Sequence, residues 1–268
     1  MVSANLTIII SYYKSPENLK VILNDLARQS YPYFEVIISE DDNNPDTRVF
    51  LNEHSEAYPF TIHHLYQKED IGFRKNMMLN RSILKANTDK LIFIDGDCTP
   101  HRHFAKEYAQ RMKKGYYYSG RAVMLSESLS QYVKKKESMA SVNLFDIWYY
   151  RSKRIKEGIY FPYFTLTIKP KGRGLVGRNW GVYKSHLVDI NGFDMDYTKA
   201  AVGEDVDVEW RLRQSGIKSA SIKNKAIVYH LHHQRNNREQ DVHHNLQLLD
   251  EKKALNRIGC LNGIQSLT

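Results

Sequence analysis

Short apolar runs separated by amphipathic stretches make up the first part of the chain. The runs are rich in β-branched side chains, which is typical of strands buried on both faces of a sheet. They cover residues 6–10, 36–39, 61–66 and 91–94. Helices are predicted between them, one starting at Ser15-Pro16 and one over residues 73–85. Because parallel strands need a crossover connection, this alternation predicts a parallel, doubly wound α/β sheet.

The second part of the chain is less regular. The predicted elements are a mostly helical stretch, a strand among tight turns, a helix closed by a glycine and a last strand, at residues 129–156, 172–183, 204–214 and 226–230. Residues 234–240 are strongly polar, which predicts a mobile segment. We expect one domain over residues 1–268, with halves at about 1–125 and 126–235 and a C-terminal tail at 236–268.

The composition is that of an ordinary globular protein, with 42% hydrophobic and 26% charged residues, and it argues against disorder. The sequence shows no apolar run near the roughly 18 residues of a membrane-spanning helix. The first residues lack the features of a signal peptide, so we expect a cytoplasmic protein. Cys98 and Cys260 are too few for a disulfide framework or a cysteine zinc site.

The formal net charge of +9 suits nucleic acid, an anionic membrane surface or a phosphate-bearing small molecule. Much of it lies in residues 134–173, which are rich in both lysine or arginine and aromatic residues; we call this the basic aromatic segment. Three interpretations of the segment stay open: a solvated helix face, a surface for anionic lipid or a lipid-linked acceptor, and a nucleic-acid surface.

Polar side chains follow three of the predicted strands, at the point where each strand ends. These exits are Ser11-Tyr12-Tyr13, Glu40-Asp41-Asp42 and Asp95-Gly96-Asp97. In open parallel sheets ligands bind beyond the carboxyl ends of the strands, so the three exits together outline a candidate site.

The third exit is the strongest local signal for chemistry. Two carboxylates after a buried strand are costly unless a cation neutralises them, and oxygen ligands suit Mg²⁺ or Mn²⁺. The alternative interpretation is a solvated turn, because Asp-Gly is a common turn pair. From these residues alone both interpretations stay open.

The apolar strand followed by Asp95-Gly96-Asp97 resembles the DxD motif of GT-A glycosyltransferases, especially inverting family-2 enzymes. Residues 7–13, 35–42 and 70–80 resemble that family's first strand and uridine-contacting loop, its second strand, and the segment before the DxD strand. The resemblance implies a GT-A fold, Mn²⁺ or Mg²⁺ as cofactor and a UDP-sugar donor. The implied donor-binding residues are Ser11, Tyr12, Tyr13, Glu40, Asp41, Asp70, Arg74, Asn80, Asp95 and Gly96, with the uracil contact open between Glu40 and Asp41.

Further along, Gly192-Phe193-Asp194 and Gly203-Glu204-Asp205 are similar to the C-terminal catalytic part of β-1,4-galactosyltransferases and bacterial chondroitin polymerases. The resemblance implies that Asp205 is the general base and that Glu204 lies beside it near the acceptor. Without the resemblance, two acidic residues at a helix start would indicate complementation of the helix dipole.

Val228-Tyr229-His230 resembles the segment that supplies a histidine to the metal in the same enzymes. The metal ligands implied by the resemblance are Asp95, Asp97 and His230. His232 is the reserve candidate, since alternate residues of a strand share one face.

These features predict an inverting, metal-dependent transferase. It would move a hexose or N-acetylhexosamine from a UDP-sugar to a hydroxyl of a glycan or lipid-linked acceptor in bacterial surface polysaccharide synthesis. We expect no nucleic-acid partner, and an anionic membrane at the inner face is a further candidate partner. The alternatives are a basic nucleic-acid-binding module, which would need no paired carboxylates at strand ends, and a catalytically silent sugar-nucleotide-binding protein.

Overall fold

Two β-sheets organise the computed structural model, which describes residues 3–163, 174–200, 203–234 and 239–268. Its strands are β1 (Leu6–Tyr12), β2 (Phe34–Glu40), β3 (Ile62–Leu65), β4 (Lys90–Asp95), β5 (Cys98–Pro100), β6 (Tyr116–Ser119), β7 (Arg121–Met124), β8 (Asn179–Tyr183), β9 (Lys218–Ser221) and β10 (Ile227–His230). The larger sheet has the order β3-β2-β1-β4-β8-β6-β9, and the smaller one the order β5-β10-β7.

Helices cover both faces of the larger sheet. They are α1 (Pro16–Ala27), α2 (Pro45–His54), α3 (Lys75–Lys85), α4 (Phe104–Arg111), α5 (Glu127–Lys136), α6 (Leu144–Tyr149), α7 (Lys184–Asp189), α8 (Glu204–Gln214) and α9 (Glu239–Ala254). Among the described residues, no helix combines the length and apolar character that crossing a bilayer requires.

The first four strands of the larger sheet, β3-β2-β1-β4, are parallel, and the α/β prediction is confirmed. Beyond them β8 runs antiparallel to β4 and to β6, so the sheet is mostly rather than wholly parallel. Ser11 pairs with Ser39 on one side and with Asp95 on the other. This register brings the three polar exits predicted from the sequence to one edge of the sheet.

Successive side chains of β1 point to opposite faces of the sheet, so this strand contributes to the hydrophobic core on both faces. Ile8 and Ile10 pack with α1, whereas Ile9 packs with Ile83 of α3. Because α1 and α3 lie on opposite faces, the apolar run of β1 is buried throughout.

The smaller sheet extends the candidate site. Its strand β5 begins one residue after Asp97, and β10 pairs with it so that His230 lies opposite Cys98. The backbone N–H of Leu231 donates to the carbonyl of Asp97 at 2.8 Å. The predicted strand at 226–230 is therefore present, and its place in a second sheet puts its C-terminal end beside the 95–97 turn.

The predicted helical stretch at 129–156 is two helices rather than one. Helix α5 ends at Lys136, because the next residue, Glu137, has a left-handed φ of 55° that a helix cannot continue. A capping box between Asn143 and Asp146 then starts α6. Of the other predicted segments, 164–173 and 235–238 lie outside the described residues.

Helix α9 occupies much of the stretch that the sequence suggested as a tail. Its buried side chains are Asn245, Leu249 and Lys252, and two of the three are polar. The helix therefore has no apolar stripe in its sequence, because its buried face packs mainly through polar side chains.

Candidate active site

The end of β1 and the turn that follows β4 lie in close contact at the candidate site. The N–H of Gly96 donates to the carbonyl of Ser11 at 2.7 Å. A Cβ at position 96 would lie 2.9 Å from the same oxygen, closer than real Cβ contacts. Glycine between the two aspartates thus lets the 95–97 turn lie against the end of β1.

The two tyrosines after β1 differ in environment. Tyr12 is buried, and its hydroxyl lies 3.0 Å from that of Thr47 in α2. Tyr13 is 56% exposed at the open edge, with the Lys14 ammonium 4.8 Å from its ring centre. Tyr13 is therefore the one of this pair that presents a ring surface to a ligand.

Glu40 and Asp41 are both buried at the end of β2. The Glu40 carboxylate lies 2.5 Å from Nε2 of His64. Asp41 accepts hydrogen bonds from the side chain of Gln67 at 2.8 Å and from the N–H of Arg74 at 2.9 Å. Burial raises the pKa of Asp41 to about 7, against the effect of those hydrogen bonds. Asp41 is thus placed against the segment that leads into α3.

The start of that segment lies over the edge of the site. Asp70 accepts from Lys14 at 3.1 Å and from the N–H of Gly72 at 3.0 Å. The Lys14 hydrogen bond lowers the pKa of Asp70, which stays ionised. Arg74 precedes α3, and its guanidinium donates to the carbonyl of Phe73 at 2.8 Å. These contacts fold residues 70–74 over the exits of β1 and β2.

Glu204 and Asp205 begin α8 and face the same edge. Asp205 accepts from the N–H of Gly177 at 3.2 Å and from that of Val206 at 2.9 Å. Burial raises the pKa of both carboxyl groups. A small cavity is lined by both side chains together with Ser11 and Asp95, so the start of α8 and the end of β4 share one space.

Asp97 forms a second cluster with two histidines. Its Oδ2 lies 3.4 Å from Nε2 of His230 and 3.2 Å from Nε2 of His233. One potential ligand atom from each of the three residues lies within 4.8 Å of the others. Burial lowers the pKa of His230, which keeps its imidazole neutral and able to coordinate. A carboxylate with two imidazoles fits a divalent transition-metal ion.

Residues 7–188 match the sequence profile of Glycosyl transferase family 2. The match covers more than half of the chain. This protein belongs to glycosyl transferase family 2. One curated relative is glycosyltransferase AglE of Haloferax volcanii, 25% identical over 197 residues that make up 73% of this chain. The chain spans 60% of the length of that relative.

Solved structures of GT-A glycosyltransferases share the fold of this family-2 chain. A mannosyltransferase from Pyrobaculum calidifontis in complex with GDP-Man and Mn²⁺ has a TM-score of 0.59 at 13% identity, over 88% of this chain and 59% of its own. GalNAc-T7 with UDP, GalNAc and Mn²⁺ has a TM-score of 0.61 at 12% identity, over 93% and 48%. At such identity the similarity shows the fold, and the predicted GT-A fold is confirmed.

Asn80, for which the resemblance implied contact with the donor, is buried in the family-2 chain and bonded to the backbone of another segment. It is fully buried; its amide donates to the carbonyl of Phe193 at 2.7 Å and accepts from the N–H of that residue at 2.8 Å. These two bonds tie α3 to the loop before α8. The position argues against direct contact between Asn80 and a donor.

Lys75 is a residue of the site that the sequence analysis missed. Its ammonium lies 3.3 Å from Asp95 and 3.5 Å from Glu204, between the two carboxylate groups. Burial opposes its charge, but the carboxylates of Asp95, Glu204 and Asp205 outweigh that effect and raise its pKa. The sequence does contain a signal for this role. A lysine in the first turn of a helix is unfavourable next to the positive end of the helix dipole, so its presence there indicates acidic side chains nearby.

His233 was also missed, and Asp95 contacts Lys75 instead of the two histidines. The alternation that favoured His232 holds only within a strand, and β10 ends at His230. The chain then turns, so His233 reaches Asp97, while the N–H of His232 donates to the Ser130 hydroxyl at 2.8 Å. Asp95 contacts Lys75 and lies outside the cluster of Asp97 and the two histidines.

A cavity of about 810 Å³ adjoins the histidine cluster. Three basic residues that follow α6, namely Arg151, Lys153 and Arg154, line it together with His230 and His233. The backbone of Lys153 is held by a bridge to Met124 at the end of β7. This cavity therefore joins the candidate metal ligands to a cationic wall that suits an anionic ligand.

Proposed function

We propose that this chain is an inverting, metal-dependent glycosyltransferase that moves a hexose or N-acetylhexosamine from a UDP-sugar to a hydroxyl of a glycan or lipid-linked acceptor. The observation that carries the proposal is the convergence of the 95–97 turn with Glu204, Asp205 and His230 at one sheet edge. The resemblance of residues 192–194 and 203–205 to bacterial chondroitin polymerases supports a role in bacterial surface polysaccharide synthesis.

The donor base would occupy the edge formed by the ends of β1 and β2. Tyr13 offers an exposed ring for stacking, and Asp41 offers a carboxyl group beside residues 70–74. UDP as the nucleotide is supported by the resemblance and by GalNAc-T7, whose structure holds UDP. The mannosyltransferase with GDP-Man makes GDP-sugars the competing donors to test.

The residues of the chain that would hold Mn²⁺ or Mg²⁺ are Asp97, His230 and His233. Two imidazoles in the donor set favour Mn²⁺, because Mg²⁺ prefers oxygen ligands. Bound there, the cation would stabilise the charge that develops on the departing diphosphate. Arg151, Lys153 and Arg154 add positive charge on the same side.

Asp205 would accept the proton of the acceptor hydroxyl as that oxygen attacks the anomeric carbon. Attack opposite the leaving diphosphate inverts the configuration, so an α-linked donor gives a β-linked product. The N–H of Gly177 orients the carboxylate, and the Lys75 ammonium lies between the neighbouring carboxylates of Asp95 and Glu204. A carboxylate positioned in this way serves as a general base.

Calorimetry against a panel of UDP- and GDP-sugars, with Mn²⁺ and with chelator, tests the donor and the metal. We expect tight binding of a UDP-sugar only with Mn²⁺, and loss of that enhancement in Asp97→Ala. Asp250→Ala, an exposed aspartate of α9, is the matched control and should bind as the native protein does. Equal affinity of Asp97→Ala with and without chelator, at the native level, would refute metal-dependent donor binding through this residue.

A further inference from the structure

Exposed apolar side chains are concentrated around α6. Phe145, Trp148 and Tyr149 are 64%, 62% and 66% exposed, and they occupy one face of the helix at spacings of three and four residues. Their rings contact one another, with centroids 5.6 Å apart for Phe145 and Trp148 and 6.2 Å apart for Phe145 and Tyr149. With exposed Leu144 and Ile159 they form what we call the α6 surface. Contiguous exposed apolar groups of this kind mark interaction sites.

Basic residues flank this surface along the chain. Residues 127–157 contain seven lysines and arginines and four acidic residues. Three of the four acidic side chains are already engaged: Glu137 with Lys20, Glu157 with Lys223, and Asp146 in the capping box of α6. Among the basic residues, Lys134 pairs with Glu17. The remaining charge of this stretch is positive, and it complements an anionic partner.

A cavity of about 660 Å³ opens beside the same helix. Leu144 and Phe145 of α6 line it together with Tyr229 of β10, and Arg28 and Arg102 add positive charge. Tyr229 and His230 alternate along β10, so this cavity lies on the face of the smaller sheet opposite the histidine cluster. It is thus separate from the proposed donor and metal site, and its lining suits an apolar chain with an anionic head.

We propose that the α6 surface docks onto an anionic lipid bilayer. Aromatic side chains next to lysine and arginine suit the boundary between headgroups and acyl chains. Leu144 and Ile159 favour lipid over nucleic acid, because aliphatic side chains cannot stack on bases. Docking in this way would bring Arg151 and Lys153, which follow α6, close to the headgroups.

Co-sedimentation with vesicles tests the proposal on the whole chain. The native protein should bind phosphatidylcholine vesicles that contain about one-third phosphatidylglycerol, and should bind pure phosphatidylcholine far less, because each basic residue near the surface adds attraction. The double variant Phe145→Ser/Trp148→Ser should lower the partition at least about tenfold. Lys135→Ala/Lys136→Ala, at the end of α5, should lower it about tenfold and weaken its dependence on salt.

The matched control is Leu84→Ser/Lys85→Ala, an exposed apolar and basic pair on α3. Helix α3 packs on the face of the larger sheet opposite α1. This control should bind vesicles as the native protein does. Native protein that ignores the anionic vesicles at low salt would overturn the proposal, and so would an equal loss in the control. If the α6 variant keeps vesicle binding but loses self-association, the surface binds a second copy of the chain instead. If it keeps vesicle binding but loses oligonucleotide binding, the surface binds nucleic acid instead. Vesicle binding requires no sugar transfer, and UDP affinity measured on the same variants separates this result from the proposed function.

Discussion

At the scale of single residues, the site depends on carboxylates that face different partners. Asp97 faces two histidines, Asp95 faces Lys75, and Asp205 faces backbone N–H groups. The same residue type can thus hold a cation, balance a lysine or accept a proton, according to what surrounds it. The positions of these groups in the sequence indicate that a site exists, and their neighbours assign the roles that we propose.

Asp205→Asn tests the role of the general base. The amide keeps the size of the side chain but cannot accept the acceptor's proton, so we expect turnover to fall on the order of 10²- to 10⁴-fold with little change in donor affinity. Because burial raises the pKa of Asp205, native turnover should decline as the pH falls through a value above that of an ordinary aspartate, and the variant should lack this acid limb.

Asp189→Asn, an exposed aspartate at the end of α7, is the control for this substitution and should keep native rates. The measurements are steady-state turnover against pH and calorimetry with the donor. Loss of donor affinity together with turnover would place Asp205 in the donor site, and native turnover would leave Glu204 as the carboxylate to test.

At the scale of elements, helix α9 supports the start of α8. Gly203 has a φ of 151°, and a Cβ there would lie 2.8 Å from the Cβ of Asn245 in α9. Lys252, also on α9, forms ion pairs with Asp194 and Asp196 in the preceding loop. The helix thus holds both ends of the loop that carries Glu204 and Asp205 into the site.

Lys252→Met should destabilise the protein, because it leaves the buried carboxylate of Asp194 without its partner. Breaking a buried ion pair costs about 3–5 kcal/mol. We expect a lower Tm in thermal unfolding and a lower turnover at temperatures where the fold is intact. Lys253→Met, the next residue of the same helix, should change neither by a comparable amount. An unchanged Tm for Lys252→Met would show that α9 is not anchored by this pair.

At the scale of the whole molecule, the 95–97 turn joins the two sheets. It follows β4 of the larger sheet and leads directly into β5 of the smaller one. The contact between Gly96 and the carbonyl of Ser11 fixes the position of that junction. The proposed metal ligands come from both sheets, so their geometry depends on how the sheets meet.

Gly96→Ala should disturb this junction. The added Cβ meets backbone rather than a flexible side chain, so the turn must shift, at a cost of about 1–3 kcal/mol. We expect a lower Tm and weaker Mn²⁺-dependent donor binding, measured by thermal unfolding and calorimetry. Gly259→Ala is the matched control, since a Cβ there meets no atom within 4 Å. Native behaviour of Gly96→Ala would mean that the turn adjusts freely.

The sequence alone determined the features that follow from local pattern. The short apolar runs located the strands of the parallel half. The polar residues after them located the site edge, because ligands of open parallel sheets bind beyond the carboxyl ends of the strands. The order of the motifs then indicated a family-2 fold. These features need only residues close together in the chain.

The tertiary structure decided the partners. Lys75 meets Glu204 across 129 residues of chain, His233 reaches Asp97 only because β10 ends at His230 beside the 95–97 turn, and Asn80 is engaged by Phe193. Helix α9 buries mainly polar side chains, so the sequence has no helical pattern of apolar residues that would predict this helix. A side chain's role depends on which neighbours share its space, and long-range packing, not local pattern, sets those neighbours.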